Sequence, residues 1–232
     1  MAVYLLAMVL VPWLAAGVLR AAVPDAGMPG PVREAALTGG VLLVQGVALI
    51  GFTVGHVLGP RGLGLPPAAL GLSPVEWRAG AGLGLVGGLG LVLINVLGSR
   101  AAVAAFRVLL GEEGLARQLA RERAAITDLF QLDLPLPVLL LLLLASVVMA
   151  PVSEEIFFRG YVHGVLRARL GAGAAYVSAA AFAAAHMYLV HFLPLFLMGI
   201  LLARLYERGG TLVAPVLAHA VVNLVVALSL RL

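Results

Sequence analysis

An all-α, polytopic transmembrane helix bundle is the fold class that this sequence predicts, and three observations predict it. Of 232 residues, 62% are hydrophobic and 11% charged, against roughly 25% charged in soluble domains, so lipid is the expected solvent. The apolar residues come in runs far longer than the ~10 residues of a barrel strand, and no strand-like alternation breaks them. Because a bilayer offers no partner to backbone N–H and C=O groups, helices are the expected spanning form.

At ~17–25 mostly apolar residues per span, helices are expected near 3–19, 36–58, 79–97, 136–157, 174–190, 192–206 and 211–229. The first run has small residues at Ala15-Ala16-Gly17, as a cleaved signal peptide would, but no positive residue precedes it, so it reads as a retained span. The turns at 20–35 and 59–78 carry Pro24, Pro29, Pro31, Pro60, Pro66 and Pro67, which punctuate helices without marking a second domain. The third run contains Gly82-Leu83-Gly84-Leu85-Val86-Gly87, a formal GxGxxG. That fingerprint needs a preceding strand and a βαβ setting; inside an apolar run, Gly80, Gly84 and Gly88 suit close helix packing instead.

Residues 99–135 form the one long polar stretch. There Glu112, Glu113, Arg117, Arg121, Glu122 and Arg123 share a helical segment with Leu110, Leu115, Leu119 and Ile126, which suggests either an interfacial amphipathic helix or a solvated connector. The simplest organisation is one membrane domain over 1–232, with N-terminal spans in 1–98, the amphipathic segment in 99–135 and a core in 136–229.

Composition also excludes function classes. All 15 basic residues are Arg, and the net charge of +4, spread over short interhelical turns, does not build a nucleic-acid surface. With no Cys there is no disulfide, thiolate nucleophile or cysteine metal ligand. Arg61, Arg78, Arg159, Arg167, Arg169, Arg204 and Arg208 fall on one side of the membrane and five Arg of the polar stretch on the other; short loops govern orientation most strongly, which favours the first group as cytoplasmic.

The chemistry-bearing residues lie in the C-terminal half. Glu154 and Glu155 follow directly on the apolar run 136–152, where an ionisable group is expensive and a functional role is the default; the bland alternative is a span that ends at Ser153. Successive helix positions point ~100° apart, so the two carboxylates have different jobs. Glu155 precedes Arg159 by one turn, a favourable ion-pair order, which leaves Glu154 as the freer general base. Pro151 withholds a backbone hydrogen bond just before this pair. Phe182 with His186, and His219 with Asn223, repeat the four-residue spacing, each on one helix face. Singly, a membrane His is more often a packed residue than a catalyst, but polar groups from three helices can build one site. His56, near a span end, and His163, in an Arg-rich turn, read as solvated, and His191 as a turn residue. No HExxH or GxSxG occurs and no Asp falls within a span, which leaves zincin, serine-hydrolase and aspartyl chemistry unsupported.

The segments Glu154-Glu155-Ile156-Phe157-Phe158-Arg159, Phe182-Ala183-Ala184-Ala185-His186 and His219-Ala220-Val221-Val222-Asn223 resemble, in order, the EExxxR, FxxxH and HxxxN motifs of the CPBP family. That family comprises type II CAAX prenyl endopeptidases and bacterial Abi proteins, and the resemblance covers about residues 136–229. It implies an intramembrane endopeptidase in which Glu154, with His186, activates a water, His219 and Asn223 hold the oxyanion, and Glu155 and Arg159 support the site. The water is activated either without metal or on one zinc ion, for which Glu154, His186 and His219 are the candidate ligands. The implied partners are membrane lipid and a membrane-bound, in some cases lipidated, peptide or protein; the implied location is a prokaryotic plasma membrane. The competing class is a non-catalytic membrane binder, such as a bacteriocin self-immunity protein. An ion transporter built on Glu154 is less suited to the His and Asn spacing, and no inverted repeat is visible.

Overall fold

The computed structural model describes residues 2–23, 28–72, 77–122 and 125–231. Pro24, Arg123 and the side chain of Ile126 lie outside the described residues. Among those described, helices and turns account for the chain and no strand occurs. We label the helices α1 (Ala2–Ala22), α2 (Gly30–Leu58), α3 (Trp77–Glu122), α4 (Ala125–Phe130), α5 (136–170), α6 (Ala174–Ala185), α7 (Phe192–Gly209) and α8 (Val213–Ser229).

Each of the seven expected spans contains a helix, with differences of extent that have physical causes. By length and composition the stretches Gly30–Leu58, Gly80–Glu122 and Leu136–Ala185 suffice to cross a membrane, and Leu10–Ala22 and Val213–Ser229 are shorter apolar helices. The third helix runs past the expected residue 97 to Glu122, interrupted at Gly111, whose φ of 67° and ψ of 174° lie outside helical space. An uninterrupted helix of 46 residues would be ~70 Å long against ~30 Å of hydrocarbon, more than one crossing needs. Its charged C-terminal end is the amphipathic helix expected from the polar stretch, beginning after Gly111. The fifth span is shorter than expected: α6 stops at Ala185, and its 12 residues rise only ~18 Å.

The described chain forms two compact units that do not follow chain order. The first comprises Met1–Leu65, Ala125–Phe157 and Asn223–Leu232. In it the guanidinium of Arg33 donates to the Arg20 and Val23 carbonyls, occupying acceptors left at the end of α1. Leu142 and Ala35 are fully buried and pack with Phe130, Leu134 and Ala227. Gly46 on α2 lies so close to Met149 that a Cβ there would stand 2.3 Å from its Cγ.

The second unit comprises Pro66–Ala124 and Phe158–Val222. Here α3 approaches α8 through the stripe Gly80, Gly84 and Gly88: added Cβ atoms would meet Thr211 at 2.9 Å, the Ala214 carbonyl at 2.7 Å and Val221 at 2.7 Å. The small-residue face read from the sequence is thus a packing face, and the formal GxGxxG has no strand before it. Gly199 of α7 approaches the backbone of Ala179 on α6 in the same way, with an added Cβ 3.0 Å from the Ala179 Cα.

Candidate functional site

Glu154 and Glu155 sit in an ordinary helical segment, Ala150–Glu155, flanked by π-helical segments Leu144–Met149 and Ile156–His163. Such widened turns are uncommon and concentrate at functional sites. Within the first unit, Glu154 is half-buried with its Oε2 out of contact with solvent, and Glu155 is fully buried. In the first π segment the Ala150 N–H donates to the Ala145 carbonyl, five residues back. The next donor in that register would be residue 151, which is proline and has no N–H. The carbonyl thereby left over, that of Ser146, accepts a 2.8 Å hydrogen bond from Asn223 Nδ2. Asn223 therefore supplies the donor that Pro151 lacks, and keeps one amide N–H and its carbonyl for other work.

Within the second unit, Phe182 is the hub. Its ring meets those of His186 at a centroid distance of 4.7 Å, His219 at 5.8 Å and Phe158 at 5.3 Å, all edge-on. The guanidinium of the fully buried Arg159 stands 4.6 Å from the same ring centroid and donates to the Gly199 carbonyl at 3.2 Å. A buried cation is tolerable when a π face and a carbonyl replace its water. His186 Nδ1 lies 2.8 Å from the Phe182 carbonyl, an oxygen that only accepts, so the ring donates there. A neutral His186 then presents Nε2 as a lone pair. His186 caps the end of α6 and the following residue, Met187, has a φ of 57°, a left-handed conformation costly for a side chain with a Cβ.

The sequence-derived residues thus fall into two groups. Glu154, Glu155 and Asn223 belong to the first unit; Arg159, His186 and His219 belong to the second, gathered around Phe182. His219 and Asn223 lie one turn apart on α8. Neither unit by itself brings together three His, Asp or Glu side chains that could hold a metal ion, among the described residues.

Two polar clusters escaped the sequence reading. His163, expected to be solvated, is 2% exposed. It is buried because α5 continues past the expected end of its span, placing the ring against Ser178 Oγ (3.3 Å) and Glu207 Oε1 (3.3 Å). Glu207 also accepts from Arg204 at 2.7 Å and from Arg167. Burial pushes the Glu207 carboxyl up, but the Arg204 hydrogen bond and the Arg167 and Arg204 charges outweigh it and hold the group below its ordinary value. Glu122, which reads in the sequence as one charge of a polar run, is buried beside the turn after His186. Its Oε1 accepts from the Leu189 and Val190 backbone N–H at 2.8 and 2.6 Å, and its Oε2 from the His191 N–H at 3.2 Å and from His191 Nδ1 at 2.7 Å. Only the 67–69 residue separation hid these contacts; no local pattern announces them.

The helices that carry all three motifs, α5, α6 and α8, coincide with a family assignment. Residues 136–225 match the type II CAAX prenyl endopeptidase Rce1-like family. This is the family whose motifs the sequence resembles, and a CAAX-type intramembrane protease is the activity that goes with it. No curated protein and no solved structure matches the chain. The Rce1-like segment takes in the motif-bearing helices but leaves α1, α2 and α3, with Glu122, outside it.

Proposed function

We propose that the chain is a multi-pass membrane endopeptidase of a prokaryotic plasma membrane, hydrolysing a peptide bond in a membrane-associated peptide or protein, lipidated substrates included. The observation that carries this reading is the 2.8 Å contact between His186 Nδ1 and the Phe182 carbonyl: a neutral ring that donates there keeps Nε2 as an acceptor, and Phe182 braces the ring. A base partner needs that arrangement.

In the proposed reaction the Glu154 carboxylate, assisted by His186 Nε2, takes a proton from water as the water oxygen bonds to the scissile carbonyl carbon. Charge builds on the carbonyl oxygen, and His219 with the remaining Asn223 N–H stabilises it; a donor aimed at an oxyanion is worth ~10²–10³ in rate. The tetrahedral centre collapses as the C–N bond breaks, and the proton held by Glu154 passes to the departing amine. Glu155 and Arg159 support the site: Arg159, on the face of Phe182, fixes the ring against which both histidines rest. The steps are written without a metal; were one zinc ion bound, Glu154, His186 and His219 would be its ligands. Membrane lipid and the substrate are the proposed partners, and nucleic acid is not.

The test uses purified chain in detergent with two probes, a farnesylated peptide ending in a CAAX sequence and a set of single-span peptides, alongside metal analysis of the same sample. Cleavage of at least one probe is expected, with loss of at least ~10³-fold in Glu154→Ala. Stoichiometric zinc would overturn the metal-free route, absence of cleavage of every probe would overturn the peptidase reading, and full activity in both Glu154→Ala and His186→Ala would overturn the assignment of those residues.

A further inference from the structure

The turn between α6 and α7 holds His186 and the strained Met187 within six residues, 186–191, and Glu122 reaches it from the far end of α3. Resting on the peptidase reading above, we infer that Glu122 is a positioning residue that sets the turn carrying His186. At the head of this turn the His186 and Met187 N–H groups are satisfied locally, by the Ala183 and Ala184 carbonyls. Beyond Tyr188, the amides of Leu189, Val190 and His191 converge on one carboxylate, and the His191 ring donates to it as well. Three consecutive amides turned towards one point make an anion nest, and here the anion is supplied by the chain itself. Such charge-assisted bonds are about twice as strong as neutral ones, and a side chain only 3% exposed is little screened by water.

An apolar contact reinforces the polar one. Val190 is fully buried against Leu115 and Ala102, with Phe106 and Leu119 packed alongside, so apolar side chains of α3 on both sides of Gly111 cover the same turn that Glu122 ties down. A left-handed, non-glycine residue persists only where its surroundings over-determine it. Met187 is 88% exposed, so its own side chain does not hold the conformation. What holds it is the backbone fixed on both sides, by helix α6 before and by Glu122 after. Release of the carboxylate lets Met187 relax, and His186, its immediate neighbour, loses its set position beneath Phe182.

The experiment compares wild type with Glu122→Ala, Glu122→Gln and the exposed control Glu113→Ala, measuring kcat and KM on the probe peptides and amide hydrogen exchange over 186–191. Glu122→Ala is expected to lower kcat by ~10–100-fold, the scale of an ångström-level misplacement, with KM within ~2-fold. Exchange at Leu189, Val190 and His191 is expected to rise ~10-fold or more, since the opened turn exposes those amides. Glu122→Gln keeps one acceptor oxygen and is expected to fall between, and it decides the matter if the alanine variant does not fold. Wild-type kcat and wild-type exchange in Glu122→Gln and Glu122→Ala would overturn the inference, as would a loss confined to KM. A wild-type chain that cleaves no probe sinks the peptidase reading, and full activity in both Glu154→Ala and His186→Ala sinks its residue assignment; either takes the catalytic half of the inference with it. The exchange data then separately confirm or overturn the anchoring of the turn.

Discussion

Replacing Gly84 by Ala tests the packing that seats α8, the helix carrying His219. The new Cβ would stand 2.7 Å from the Ala214 carbonyl oxygen, 2.9 Å from Leu217 Cβ and 3.2 Å from Ala214 Cα, where ordinary contact begins at 3.4 Å. A backbone carbonyl cannot rotate away as a side-chain tip does, so α8 must retreat locally by ~0.7 Å in a close-packed setting. Overpacking of this kind costs about 1–3 kcal/mol, partly offset by the gain of up to about 1 kcal/mol that Ala has over Gly in a helix. Gly82, two residues away on the same helix, has nothing within 4 Å of its added Cβ, so Gly82→Ala collects only the gain. The two variants then differ by about 2 kcal/mol, which for a chain of this length separates their melting temperatures by roughly 4–8 °C. Thermal unfolding in one detergent, scanned in parallel, reads this directly. Melting temperatures within 1 °C of each other, on the order of experimental scatter, or Gly82→Ala as the less stable variant, would refute the packing account.

Other expectations follow from the polar contacts. Asn223→Ala leaves the part-buried Ser146 carbonyl without the amide that replaces the missing Pro151 N–H, a loss of about 1 kcal/mol. Adding Pro151→Ala restores a backbone donor, so the double variant should melt above the Asn223→Ala single; additive losses would show that the amide and the proline are not linked. Glu207 has a folded value below its ordinary 4.5, so its contribution to stability is fully present above that pH and is lost as pH falls through the folded value. Wild type should therefore lose stability on acidification below about pH 4.5 more steeply than Glu207→Gln, and parallel pH profiles from denaturation would refute this.

Much of the molecule was legible in the chain itself. The helical, membrane-bound character follows from composition, because a backbone deprived of water must satisfy itself within each segment. The glycine stripe 80/84/88 was legible because four-residue spacing survives folding as one helix face. The motif residues Glu154, Glu155, Arg159, Phe182, His186, His219 and Asn223 stand out for the same reason, as polar or aromatic side chains at helical spacing in otherwise apolar runs.

Tertiary structure alone decided the rest. That Asn223 completes the hydrogen bonding of a π segment 77 residues away depends on which carbonyl the proline abandons, and so on a local register that periodicity does not encode. That His163 is buried follows from α5 running on to residue 170, where partners from α6 and α7 meet it. That Glu122 grips the turn after His186 rests on contacts across 67–69 residues, which chain spacing cannot express. The helical bundle predicted at the outset was thus written in local hydrophobicity, because each helix satisfies its own backbone. The roles of its individual charges were not, because a carboxylate acquires its partner only when distant segments meet.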